Sequence, residues 1–215
     1  NDSHGSYNGT ATSGVTFDSS VKKLGTHSAY FDGTADNRIT IGTNASTFNI
    51  TDEITISAWV YLPSSSWNAN TLQPIISSQN QGNGSTTQAG ISMNIDRATT
   101  RSSWSLSAPT VHLQMADGSW NHLNSTEAIP TGQWVHIVST RKRGTNDNDA
   151  IYYNAVAKGL NRAAQWTDTI NWSNANSWAI GSEHNHPSEA RDFHGHIDQV
   201  AVWNRILTSA EVTAL

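Results

Sequence analysis

Through most of its length the chain alternates apolar and polar residues with a period of two, in short runs separated by Gly, Asn, Ser and Pro. That period belongs to β-strands, whose successive side chains point to opposite faces. Residues 38–41, 53–61, 74–78, 89–95, 104–106, 111–115, 133–140, 150–157, 177–180 and 195–202 read as strands, and the clusters between them as turns. The Ala content of 150–166 would also suit a helix, but β-branched and aromatic residues at its start favour a strand followed by a loop. One helix is expected, at the end, where Thr208 and Glu211 have the spacing of a capping box. So many strands with so little helix require either two antiparallel sheets packed face to face or a closed barrel. No repeat of fixed period is present, which argues against a propeller or solenoid.

Composition narrows the function classes. The 215 residues suit one large domain. No apolar run approaches the roughly 18 residues of a membrane-spanning helix, so membrane insertion is not expected. With 12 Lys and Arg against 17 Asp and Glu, the net charge of −5 disfavours a nucleic-acid partner, which demands a basic surface. The chain has no Cys, so its stability must come from the core or from a metal. Few charges among many Ser, Thr, Asn and Gly suggest an extracellular, cell-surface or virion-surface protein. The polar opening from Asn1 to Gly5, without a starting Met, suggests a processed chain or an excised domain of a larger protein.

In the run 54–61, period two puts Ile54, Ile56, Ala58 and Val60 on one face and Thr55, Ser57, Trp59 and Tyr61 on the other. The first face belongs in a core. The second suits a concave, partly solvated sheet face. Trp134, His136 and Val138 likewise share a face opposite Val135 and Ile137.

Five segments, AYFDG at 29–33, ITISAWV at 54–60, GQWVHIV at 132–138, AIG at 179–181 and GHIDQVAVWNRIL at 195–207, resemble the ordered motifs of concanavalin A-like, laminin-G-like domains. LTSAE at 207–211 closes the set, and DSHG at 2–5 with NGT at 8–10 resembles the family's polar opening loop. The resemblance implies an all-β, two-sheet antiparallel jelly-roll sandwich with a short C-terminal helix over residues 1–215. It departs from the family at 153–155, where Tyr-Asn-Ala replaces a turn that usually ends in Gly.

The resemblance also implies one structural calcium, where the first loop meets the last strand. Asp198 is the first candidate ligand, Asp2 the second and Asp32 the third, since calcium takes carboxylate and carbonyl oxygens. Asp2 and Asp32 would serve equally well as turn residues accepting local backbone bonds. The segment EHNHPSEARDFHGHID at 183–198 holds two His-x-His pairs, a ligand type for zinc or nickel, although hydrogen-bonded imidazoles are the default reading.

Family members include sugar-binding modules, adhesion domains and virion proteins, so the fold alone does not set the function. Sugar recognition needs exposed aromatic faces beside amides and hydroxyls. Trp67, Trp120 with Asn121, Trp166 and Trp172 lie in polar loop context and are the candidate glycan contacts, while Trp59, Trp134, Trp178 and Trp203 read as packing residues. Catalysis is not expected. A glycoside hydrolase needs two carboxylates flanking one bond, and no strand presents them at alternate positions. The expected function is therefore non-catalytic, lectin-like binding of a glycan or polysaccharide, more readily a neutral one since an acidic protein repels anionic chains. The competing expectation is a structural or adhesive module whose loops contact protein or drive self-assembly.

Overall fold

The alternating runs fold into two antiparallel sheets in the computed structural model, which describes residues 7–34, 36–64, 72–80, 89–96, 109–117, 120–162, 165–183 and 191–215, the side chains of Asp117 and Trp120 excepted. In chain order the strands are β1 (Thr10–Ala11), β2 (Thr16–Asp18), β3 (Ser28–Asp32), β4 (Ile39–Ile41), β5 (Glu53–Tyr61), β6 (Leu72–Ser77), β7 (Ala89–Asp96) and β8 (Thr110–Asp117). They continue as β9 (Trp120–Ser125), β10 (Trp134–Lys142), β11 (Ala150–Tyr153), β12 (Val156–Ala157), β13 (Leu160–Arg162), β14 (Trp178–Ile180) and β15 (His194–Trp203), before helix α1 (Ser209–Ala214). An eight-stranded sheet runs β1-β4-β14-β6-β7-β8-β9-β13, and a seven-stranded sheet runs β12-β11-β10-β5-β15-β3-β2.

The core lies between the sheets and is built from the faces that the alternation marks. Ile54, Ile56, Ala58 and Val60 of β5 meet Val135 and Ile137 of β10 on one side. Ile91, Met93 and Ile95 of β7 pair in register with Met115, Leu113 and Val111 of β8 on the other. Each such side chain buried contributes about 1.5–3 kcal/mol, so the sandwich needs no disulfide. Tyr153 ties the sheets together. It stands on β11, where its hydroxyl bonds the hydroxyl of Ser125 on β9 and accepts from the Val111 N–H of β8, and burial pushes its pKa up to about 12.

The capping box forms as expected: the Thr208 hydroxyl accepts from the Glu211 N–H, and the Glu211 carboxylate accepts from the Thr208 N–H. The buried Val212 docks α1 on Val138 and Leu207 beside Tyr152 and Trp203. The run 150–157 is a hairpin, β11 to β12, turning through Asn154 and Ala155 at φ +49° and +64°. Ala155 thus occupies a left-handed conformation that Gly would take without steric cost. Strands β1, β2, β3, β9 and β13 are additions to the expected set, and residues 104–106 lie outside the described residues.

Candidate functional site

The outward face of the eight-stranded sheet carries an ordered polar array. Register places Ser77, Ser92, Gln114 and His122 in one row across β6, β7, β8 and β9. The next row is Asn94, His112, Asn124 and Asn161 across β7, β8, β9 and β13, and a third pairs Asp96 with Thr110. These are the positions between Ile91, Met93 and Ile95 and between Val111, Leu113 and Met115, so the alternation that builds the core also aligns amides and imidazoles opposite it. Gly90 lies at φ +84°, where a Cβ would strike the Ser78 carbonyl, which lets β7 lie close to the segment after β6.

The array is buried from β6 through β8 and at Asn124 of β9, and opens at His122 of β9 and Asn161 of β13. Ser77, Ser92, Asn94, Thr110, Gln114 and Asn124 are each at most 3% exposed, whereas His122 and Asn161 are half-buried. Within it the Ser92 hydroxyl donates to Asn94 Oδ1 at 2.5 Å. His112 Nε2 and His122 Nδ1 share a hydrogen bond of 2.6 Å, and the Asp96 carboxylate lies 3.8 Å from His112 Nδ1. One proton between two imidazole nitrogens fixes both rings edge to edge.

Other polar atoms have no hydrogen-bond partner within the protein: Asn94 Nδ2, Thr110 Oγ1, Gln114 Oε1, and both Oδ1 and Nδ2 of Asn124. A buried polar atom left unsatisfied costs about 1–3 kcal/mol. Five would cost about 5–15 kcal/mol, as much as the whole stability of an ordinary domain. Buried polar groups of this kind are ordinarily met by water or by a ligand. These five comprise two amide donors, two carbonyl acceptors and one hydroxyl that does both. That balance suits a partner rich in hydroxyl groups. An anionic group only accepts, leaving Gln114 Oε1 and Asn124 Oδ1 unmet, and the described residues of these rows include no Lys or Arg to receive it.

The residues singled out from sequence are placed differently. Trp166 is fully buried in the core and donates its indole N–H to the Asp168 carbonyl, so it packs under a loop and presents no face to a sugar. Trp172 is half-buried against Trp178, with its indole N–H on the Ile50 carbonyl. Asn121 is buried at a register position opposite Met115, on the core side of β9 and away from the array. Trp120 begins β9 opposite Ala116, its side chain outside what is described, and Trp67 lies outside the described residues altogether. Asn94, His112, Gln114, His122 and Asn124 were not foreseen. Their signal was alternation with Asn, His and Gln as the polar partners, Asn being a residue that strands ordinarily disfavour.

The two described calcium candidates, Asp32 and Asp198, are not brought together. Asp32 sits opposite His194 and Asp198 four residues further along β15, about 13 Å at strand rise, too far to share an ion. Asp198 Oδ2 accepts from the Lys23 and Leu24 N–H groups at 3.0 and 3.1 Å, and its Oδ1 from Gln199 N–H at 2.9 Å, within a bulge where Gln199 takes φ +49°. Asp32 is the exposed last residue of β3, at the start of a turn. Its Oδ1 accepts from the Thr34 N–H, which holds the carboxyl below its usual range, and from the Asn37 amide. Asp2 lies outside the described residues, as do His184 and His186. No group of three His, Asp or Glu placed to hold a metal occurs among the described residues.

Two antiparallel sheets sharing one core, with buried amides and imidazoles on the outward face of one of them, make a concanavalin A-like sandwich. The family model of the concanavalin A-like lectin/glucanases superfamily matches residues 32–213, and the chain belongs to that family. Among solved structures, domain 4 of AbnA, an extracellular arabinanase from Geobacillus stearothermophilus, in complex with arabinotriose, is 20% identical with a TM-score of 0.62, over 99% of this chain and 90% of that one. The Ruminococcus gnavus IT-sialidase CBM40 bound to α2,3 sialyllactose is 14% identical with a TM-score of 0.58, over 85% and 95%. The binding domain of Paraclostridial Mosquitocidal Protein 1 is 16% identical with a TM-score of 0.64, over 97% of this chain but 46% of that one. At such identities the likeness is one of fold. No curated protein matches the sequence.

Proposed function

We propose that the protein is a non-catalytic glycan-binding module that holds a neutral oligosaccharide on the amide and imidazole rows of the eight-stranded sheet. The observation that carries this reading is the set of buried, unpartnered atoms on Asn94, Thr110, Gln114 and Asn124, whose mixed donor and acceptor character matches sugar hydroxyls. The sugar enters from the β13 side, where His122 and Asn161 are half-buried, and displaces water inwards towards Asn94. Two relatives of the same fold hold arabinotriose and α2,3 sialyllactose in their solved structures, which supports carbohydrate as the ligand class. The absence of Lys and Arg from the described rows favours a neutral chain over a sialylated one.

Catalysis by the usual glycosidase route needs two carboxylates, about 5–9 Å apart, flanking the bond. Among described side chains these rows contain one, Asp96. Such a module belongs on a secreted or surface protein, where polysaccharide is met. Calorimetric titration with neutral oligosaccharides, arabinotriose among them, tests the reading. Binding that weakens at least tenfold in Asn124→Ala and Gln114→Ala is expected. Failure of every neutral glycan on an array to bind, or affinity indifferent to both substitutions, overturns it in favour of a protein-contacting module.

A further inference from the structure

The seven-stranded sheet carries on its own outward face a row of four rings. Register aligns Trp134 of β10, Tyr61 of β5, His196 of β15 and Tyr30 of β3 directly across four strands. Tyr61, Trp134 and His196 meet one another steeply, with centroids 5.8–6.3 Å apart and interplanar angles of 61–86°, so none of these three lies flat over another. Tyr30 leans on His196 at 4.8 Å and 45°. Trp134, Tyr61 and Tyr30 are half-buried. The next row differs. Trp59 stacks on His136 at 20°, and the Lys23 ammonium lies 4.1 Å from its ring centroid, so that indole is engaged by the protein's own groups.

His196 adds a fixed polar atom to the row. The Ser28 hydroxyl donates its single proton to the Val21 carbonyl, so towards His196 it can only accept, and His196 Nδ1 must carry the proton of their 3.1 Å bond. In the neutral ring the lone pair is then on Nε2. Burial disfavours the imidazolium and outweighs the pull of Asp18, keeping the ring neutral near pH 7. A neutral acceptor among steeply set aromatic rings provides for both sides of a pyranose, its C–H patch and its hydroxyls. The row spans three strand spacings, about 14 Å, which is the length of two to three sugar units.

We propose that this ring row is a second carbohydrate site, independent of the amide rows, in which Trp134 and Tyr61 take the C–H face of a neutral pyranose and His196 Nε2 accepts from one of its hydroxyls. The two sites lie on outward faces of opposite sheets, so one molecule bridges two glycan chains, and each weak site gains from the other by avidity.

The test is nuclear magnetic resonance of the tryptophan indole N–H groups, with the Trp134 signal assigned through Trp134→Phe. The probes are methyl β-D-glucopyranoside, methyl β-D-galactopyranoside and cellobiose, each up to about 50 mM, a range suited to a millimolar site. A saturable shift of the Trp134 signal with at least one probe is expected, unchanged in Asn124→Ala and weakened at least fivefold in His196→Phe, which keeps a ring and removes the acceptor. Thermal melts of each variant confirm that it remains folded. No saturable Trp134 shift with any probe, or a shift that vanishes in Asn124→Ala and persists in His196→Phe, overturns the second site. The first outcome leaves binding at the amide rows untouched.

Discussion

Replacing Asn124 with Leu separates a residue kept for folding from one kept for binding. Asn124 is fully buried on β9, with neither amide atom bonded within the protein. Leu has the same branching at Cγ, so the substitution exchanges two unmet polar atoms for two methyl groups of similar shape. Relieving each atom is worth about 1–3 kcal/mol, and the slightly larger methyl groups return about 1 kcal/mol as crowding. Water that partly satisfies the amide in the native protein reduces the gain further. The net expectation is a stabilisation of about 2 kcal/mol, or a Tm increase of about 4–8 °C for a chain of this length. Scanning calorimetry and urea midpoints measure it, and titration with the best neutral oligosaccharide should show affinity falling at least tenfold in the same variant. A stability loss of about 2 kcal/mol would refute the reasoning, because it would mean that Asn124 is held by structural bonds and belongs to the fold.

Two further expectations concern the scaffold. Ala155→Gly relieves a left-handed residue in the β11–β12 turn and should raise stability by about 1 kcal/mol, or Tm by about 2–4 °C, with sugar binding unchanged. Glu211 is held at about 2, first by Arg205 and then by the Thr208 N–H, against an ordinary value of 4.5. A carboxyl lowered on folding stabilises above its unfolded value, so this contribution is complete above about pH 4.5 and is lost as the pH falls towards 2. Tm measured from pH 6 to pH 2 should fall less steeply in Glu211→Gln than in the parent over that window.

The strands that were legible in the sequence are those whose inward positions are uniformly apolar. In β5 every second residue from Ile54 to Val60 is apolar and buried, so its face is unambiguous. Strand β9 hid because its core-side positions are Asn121, Leu123 and Ser125, two of them polar. Ser125 is tolerated there because Tyr153 reaches it across the core, a contact that no local pattern reveals. Trp166 misled for the converse reason. Its neighbours Gln165 and Thr167 are polar, yet its ring fills the core, and its carbonyl accepts from the Gly144 N–H, a partner 22 residues away in sequence. The amide rows were visible as polar alternation, but Asn94 and Asn124 are told from ordinary solvated positions only by burial and by register across β7, β8 and β9. Asp198 fitted the family's closing motif, while the Lys23 and Leu24 N–H groups that occupy its carboxylate come from a segment 174 residues away or more.

A crystal structure of the protein grown with a neutral oligosaccharide that it binds in solution is the most direct measurement. The account predicts sugar hydroxyls within about 3.2 Å of Asn94 Nδ2, Gln114 Oε1 and the Asn124 amide, across β7, β8 and β9. A bound sugar that makes no contact with these three residues, held instead by loops at the sandwich edge, would contradict it.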